Sequence, residues 1–127
     1  MTDPLPLLKL HAAMPGLPET DHPSPERLIT GNPRRDTWND VDVAVGGSRL
    51  YCGVWRSEPG HWRIRMADGE HELFTVLQGR CRVHHEDGRF QEAGPGEAVF
   101  IPAGFAGSFE VLETVTKTYA IVAAQPV

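Results

Sequence analysis

Residues 60–79 read GHWRIRMADGEHELFTVLQG, and residues 96–107 read GEAVFIPAGFAG. Both are short runs rich in aromatic and β-branched residues, closed at each end by glycine, with Asp68-Gly69 inside the first and Pro102-Ala103-Gly104 inside the second. Runs bounded in this way read as strands separated by turns. Within the first, Trp62, Ile64 and Met66 fall on one face and Arg63 and Arg65 on the other, the period-two alternation of a half-buried strand.

The same punctuation continues on both sides. Glycines stand at 46, 47, 53, 60, 69, 79, 88, 94, 96, 104 and 107. The runs between them predict strands over 48–56, 61–67, 71–78, 80–85, 97–101, 107–113 and 116–124. Asp68-Gly69 and Asp87-Gly88 tolerate positive φ, and each is expected to reverse the chain between antiparallel neighbours. Pro102 has no N–H for a ladder and ends the strand before it. No run after residue 46 holds a helical period, so residues 46–127 are expected to form an all-β barrel.

Seven of the eleven prolines fall within the first 33 residues. Residues 1–45 therefore read as a proline-rich arm outside the barrel, packing on it or on a partner subunit, with one helical turn at Ser24-Pro25-Glu26-Arg27. At 127 residues, 40% hydrophobic and 23% charged, the chain has the balance of one soluble domain. A net charge of −5 gives neither nucleic acid nor an anionic membrane surface a reason to bind, since both reward a basic face. Arg34-Arg35 is the only adjacent pair of cations and reads as solvated surface. No apolar run approaches a membrane span and no leader pattern precedes residue 14, so a cytoplasmic protein is expected. Cys52 and Cys81 lack metal spacing and read as buried free thiols; a catalytic thiolate is the second choice.

The glycine and proline skeleton resembles that of the cupins, whose fold is an RmlC-like jelly roll. The first cupin motif is matched in spacing by Gly60, Met66-x-Asp68, Glu72 and Gly79, and the second by Gly96, Pro102-Ala103-Gly104 and Gly107, with sixteen residues between the motifs. More narrowly, residues 24–122 resemble a subgroup containing the cupin domain of (S)-ureidoglycine aminohydrolase and the ethanolamine-utilisation cupins. That likeness is carried by Gly53-Val54-Trp55, Pro59-Gly60-His61-Trp62-Arg63, Phe74-Thr75-Val76-Leu77-Gln78-Gly79, the run from Ile101 to Val111, and Glu113 to Tyr119.

The resemblance implies a cavity in the barrel and, in metal-binding members, three histidines and a glutamate around one divalent cation. Here those places hold Met66, Asp68, Glu72 and Gly107. No transition metal is expected from that set; a hard cation held weakly by Asp68 and Glu72 stays open, and the cofactor is otherwise unknown. The aminohydrolase's substrate-holding lysine is matched in position by Lys117. Cupins of this type are commonly dimers, so a homodimer is expected.

Glu72, on an apolar strand, is the leading catalytic candidate: burial would favour its neutral form, and Lys117 opposite would keep it ionised. Trp62, Phe74, Tyr119 and Asp68 are the candidate ligand-binding residues, Asp68 the weakest because Asp-Gly is a common turn. His61, His71, His84 and His85 read as surface residues, and an ion held by His71 or His85 is the remaining route to a metal. Two functions compete. One is a small-molecule-binding cupin acting on a ureido or carboxylate compound, with Glu72 moving a proton and Lys117 holding an oxygen. The other is a non-catalytic binding or accessory module.

Overall fold

Strand β9 (Ala106–Ala124) is the axis of the molecule. The computed structural model describes residues 5–125. It contains eight further strands: β1 (Glu19–Asp21), β2 (Leu28–Thr30), β3 (Arg35–Val45), β4 (Ser48–Ser57), β5 (Gly60–Arg65), β6 (Glu70–His85), β7 (Phe90–Ala93) and β8 (Ala98–Ile101). One edge of β9 pairs with β4 from Val115 to Ala124 and with β5 from Ala106 to Val111. The other edge pairs with β6 along nearly its whole length. All neighbouring pairs are antiparallel.

Because β6 and β9 both bend, the ladder folds over on itself as a jelly roll. One layer holds β1, β3, β4, β8, the half of β6 before its bend and the half of β9 after its bend; the other holds β2, β5, β7 and the remaining halves. The corner lies at Gly79, where the register between β6 and β9 shifts three times. Gly79 has φ of 82°, and a Cβ there would lie 2.1 Å from the backbone oxygen of Thr114. Glycine is thus required twice over, for the left-handed backbone and for the close approach of β9. The bend also switches parity. Glu72, Phe74 and Val76 point inward before it, and Cys81 and Val83 after it. A strand with one uniform alternation would have turned half of its apolar residues to solvent.

Several sequence expectations change. The runs 71–78 and 80–85 are one strand, because Gly79 bends β6 without ending it, and 107–113 and 116–124 are likewise one strand, continuous through Thr114-Val115. Asp68-Gly69 is a turn but not a hairpin: β5 and β6 do not pair with each other, and each instead pairs with β9 on opposite edges. Asp87-Gly88 does join the paired strands β6 and β7. The largest difference is β3. Residues 35–45 lie in the stretch read as an arm, yet they form an eleven-residue strand pairing with β4 from Arg35↔Ser57 to Val45↔Ser48. The prolines that coloured that reading stop at Pro33. Of the rest of the arm, β1 adds to β3, β2 adds to β5, and Pro25–Arg27 makes a short 3-10 turn.

The core between the layers joins Trp62, Met66, Phe74, Val76, Phe109 and Val115 with their neighbours. Among the described residues, no helix is long and apolar enough to cross a membrane.

Candidate functional site

Phe109, Val111, Val115, Lys117, Tyr119 and Ile121 of β9, and Glu72, Phe74 and Val76 of β6 before its bend, point between the layers. Where the layers splay they leave a cavity of about 450 Å³, within the range of small-molecule sites. Charge enters it from four strands: Lys117 of β9, Glu72 of β6, Arg35 of β3 and Glu19 of β1 all line it.

Lys117 sits opposite Trp55 on β4 and Val76 on β6, whereas Glu72 sits opposite Ile121. The lysine side chain therefore reaches along the sheet past the Phe74–Tyr119 pair, and its Nζ donates to Glu72 Oε2 at 2.8 Å. Only 7% of the Lys117 side chain and 14% of the Glu72 side chain are exposed. The ammonium also lies 4.2 Å from the ring centre of Phe74, 4.6 Å from that of Trp55 and 4.8 Å from that of Phe109. Three aromatic faces and one carboxylate hold a cation that water would otherwise solvate.

Tyr119 donates its hydroxyl to Asn39 Oδ1 at 2.6 Å. Burial, and then the acidic surroundings of Asp40, Cys52, Glu72 and Glu19, hold its phenol well above the usual range, so it remains a donor. At the cavity wall Arg35 makes two hydrogen bonds to Asp21, at 2.9 and 2.7 Å, and its guanidinium lies 5.3 Å from the Trp62 ring centre. Its neighbour Arg34 is more than half exposed and pairs with Asp36.

The residues singled out from sequence separate cleanly. Glu72, Lys117, Trp62 and Tyr119 meet around the cavity. Phe74 is fully buried beneath the ammonium and does not line it. Asp68 is exposed in the turn after β5, carried away from the other five, and is no part of the site. Arg35, Thr37 and Asn39 were missed. They recur every second residue, so the alternation was present in the sequence, but it lay in the segment assigned to an arm.

The cupin metal positions do not make a donor set. Met66 offers a buried thioether, Asp68 points elsewhere, and Glu72 already has an ammonium against it. Gly107 offers nothing, and a side chain there would lie 2.0 Å from the backbone oxygen of His84. A thioether and one engaged carboxylate suit neither manganese nor iron. The other proposed route also points elsewhere: His71 Nδ1 accepts from the Ala103 N–H at 2.9 Å, and His85 packs edge-on against Phe105, both exposed. Cys52 and Cys81 are free thiols, and burial pushes Cys81 up to about 11, which leaves it a packing group and no nucleophile.

Comparison with known proteins agrees with this architecture. The EutQ-like cupin domain family matches residues 46–119. No curated protein matches the chain. A solved structure of a DUF861-family protein of unknown function from Pseudomonas syringae pv. tomato is similar at 26% identity and a TM-score of 0.71, over 84% of this chain and 44% of that one. The chain thus spans less than half the length of the Pseudomonas protein. The EutQ protein of Clostridium difficile is similar at 25% identity and a TM-score of 0.58, over 78% and 71%. With the jelly roll, the cavity between its layers and a family match over more than half of its length, the chain belongs to the EutQ-like cupin domain family.

Proposed function

We propose that the cavity binds a small ureido or carboxylate compound, as its resemblance to the (S)-ureidoglycine aminohydrolase cupin domain implies. The observation that carries this reading is the Lys117–Glu72 pair on the cavity wall. Buried ion pairs contribute little net stability, because desolvation offsets their attraction. One that lines a cavity is better explained by a ligand. A ureido group presents a carbonyl oxygen beside N–H donors, and the pair presents an N–H donor beside a carboxylate acceptor 2.8 Å away. Each half of the ligand meets its complement. The cavity charges nearly cancel, Lys117 and Arg35 against Glu72 and Glu19, which favours such a group over a phosphate.

If the bound compound is hydrolysed, Glu72 moves the proton and Lys117 stabilises the oxygen that gains charge. The absence of a metal donor set at Met66, Asp68 and Gly107 favours the second reading, a binding module without turnover. Calorimetry with N-carbamoyl amino acids and short carboxylic acids tests both. Saturable binding that weakens at least about tenfold in Lys117→Met supports the site, and an ammonia-release assay on the same mixtures separates hydrolase from binder. No binding by any of these compounds overturns the reading.

We further propose a cytoplasmic homodimer. Leu7 and Leu17 of the arm are almost wholly exposed, and Leu73, Phe100 and Val122 form a second apolar surface on adjacent strands β6, β8 and β9. Each surface gains by covering the other in a second copy. Light scattering is expected to give twice the chain mass of 14.0 kDa, and a clean monomer refutes the proposal.

A further inference from the structure

The outer face of the second layer carries a different cluster. Strands β5, β9 and β6 lie side by side there, with His61 opposite Glu110 and His84 opposite Ser108. Glu110 and Ser108 alternate with the core residues Phe109 and Val111, so all four groups point away from the cavity. The contacts cross diagonally: His84 Nε2 meets Glu110 Oε1 at 2.8 Å and His61 Nε2 meets Ser108 Oγ at 2.7 Å. The two imidazole centres are 5.0 Å apart.

We propose that His61, His84 and Glu110 form a binding site for a borderline divalent transition-metal ion, of which Zn²⁺ is the type. One ligand atom from each residue lies within 4.8 Å of the others, and all three residues are half-buried. Tetrahedral bonds of about 2.0–2.1 Å place ligand atoms ~3.3 Å apart, so the trio need contract by only about 1.5 Å. Two imidazoles and one carboxylate are the donors such ions prefer, and the Ser108 hydroxyl or water completes the shell. Each neutral imidazole then presents Nε2 to the ion and keeps its proton on Nδ1.

The charge distribution gives a second, independent argument. Arg82 is the direct cross-strand neighbour of Glu110, yet its guanidinium is turned to Glu92 at 2.8 Å and lies 4.6 Å from the Phe90 ring centre. The half-buried Glu110 is left facing two imidazoles. A cation between them supplies the positive charge that Arg82 withholds. The cavity residues take no part, since the sheet itself separates the two faces.

The test is a Co²⁺ titration of tag-free, chelator-treated full-length protein, read by visible absorption and followed by Zn²⁺ displacement. One equivalent per chain is expected, with the strong bands of a four-coordinate site. His84→Gln, which keeps a hydrogen bond to Glu110, and His61→Ala are each expected to weaken binding at least about 100-fold. Glu72→Gln and His71→Ala are expected to leave it unchanged. Circular dichroism of every variant separates lost ligands from lost fold. No saturable Co²⁺ binding by the wild-type chain, binding that survives His84→Gln, or binding lost in Glu72→Gln each overturns the assignment.

Discussion

Replacing Lys117 with methionine is expected to destabilise the barrel by about 3 kcal/mol or more, the cost of leaving a buried charge without its partner. Methionine fills most of the space of the lysine stem, so packing among Trp55, Phe74 and Phe109 is largely kept. What is lost is the ammonium against Glu72, whose side chain is only 14% exposed. Glu72→Gln alone should cost less, about 1 kcal/mol, because the amide oxygen still accepts from Nζ and the aromatic faces still hold the cation. The double variant should recover much of the Lys117→Met loss, since no charge is then stranded. Urea denaturation of the four proteins closes a double-mutant cycle. A Lys117→Met protein within about 0.5 kcal/mol of the wild type would mean that water reaches the carboxylate freely, and the cavity would then be solvated surface.

Gly79→Ala is the second large effect. Alanine at a φ of 82° costs about 1–2 kcal/mol by itself. Its Cβ would also sit 2.1 Å from the Thr114 backbone oxygen, which cannot move without opening the corner between β6 and β9. A fall in Tm of about 10 °C or more is expected, or failure to fold. Gly88→Ala is the matched control. Gly88 has φ of 94° but nothing within 4 Å of its would-be Cβ, so it carries the backbone term without the collision. Calorimetry giving equal losses for the two would show that the corner tolerates a side chain, and the account of the bend would fail.

The sequence was most legible where one signal had one meaning. Alternation placed Trp62, Ile64 and Met66 inward, a charge on an apolar strand picked out Glu72, and the resemblance to the aminohydrolase's lysine picked out Lys117. It was least legible where one signal served two structures. Gly79 marks a bend inside a strand as readily as a turn between strands, so β6 was cut in two. Proline density blurred into the neighbouring segment and hid β3, and with it the inward row Arg35, Thr37 and Asn39. The outer histidines illustrate a third limit. His61 and His84 are far apart in the chain and belong to strands that never pair; only β9, lying between them, brings them together. No local pattern encodes a meeting that a third strand arranges.

That arrangement also sets the order in which the molecule can be made. β4, β5 and β6 all depend on β9 for a neighbour, yet β9 is the last of the nine strands to leave the ribosome. Until it emerges, the nascent chain holds a β3–β4 hairpin and a patch around β6, β7 and β8, with the long edges of β4 and β6 open to pairing with any other chain. Closure is therefore a late, single event, slow because its contacts are distant in sequence. A chaperone that shields the long edges of β4 and β6 would serve this protein during synthesis and be displaced from both once β9 pairs with them.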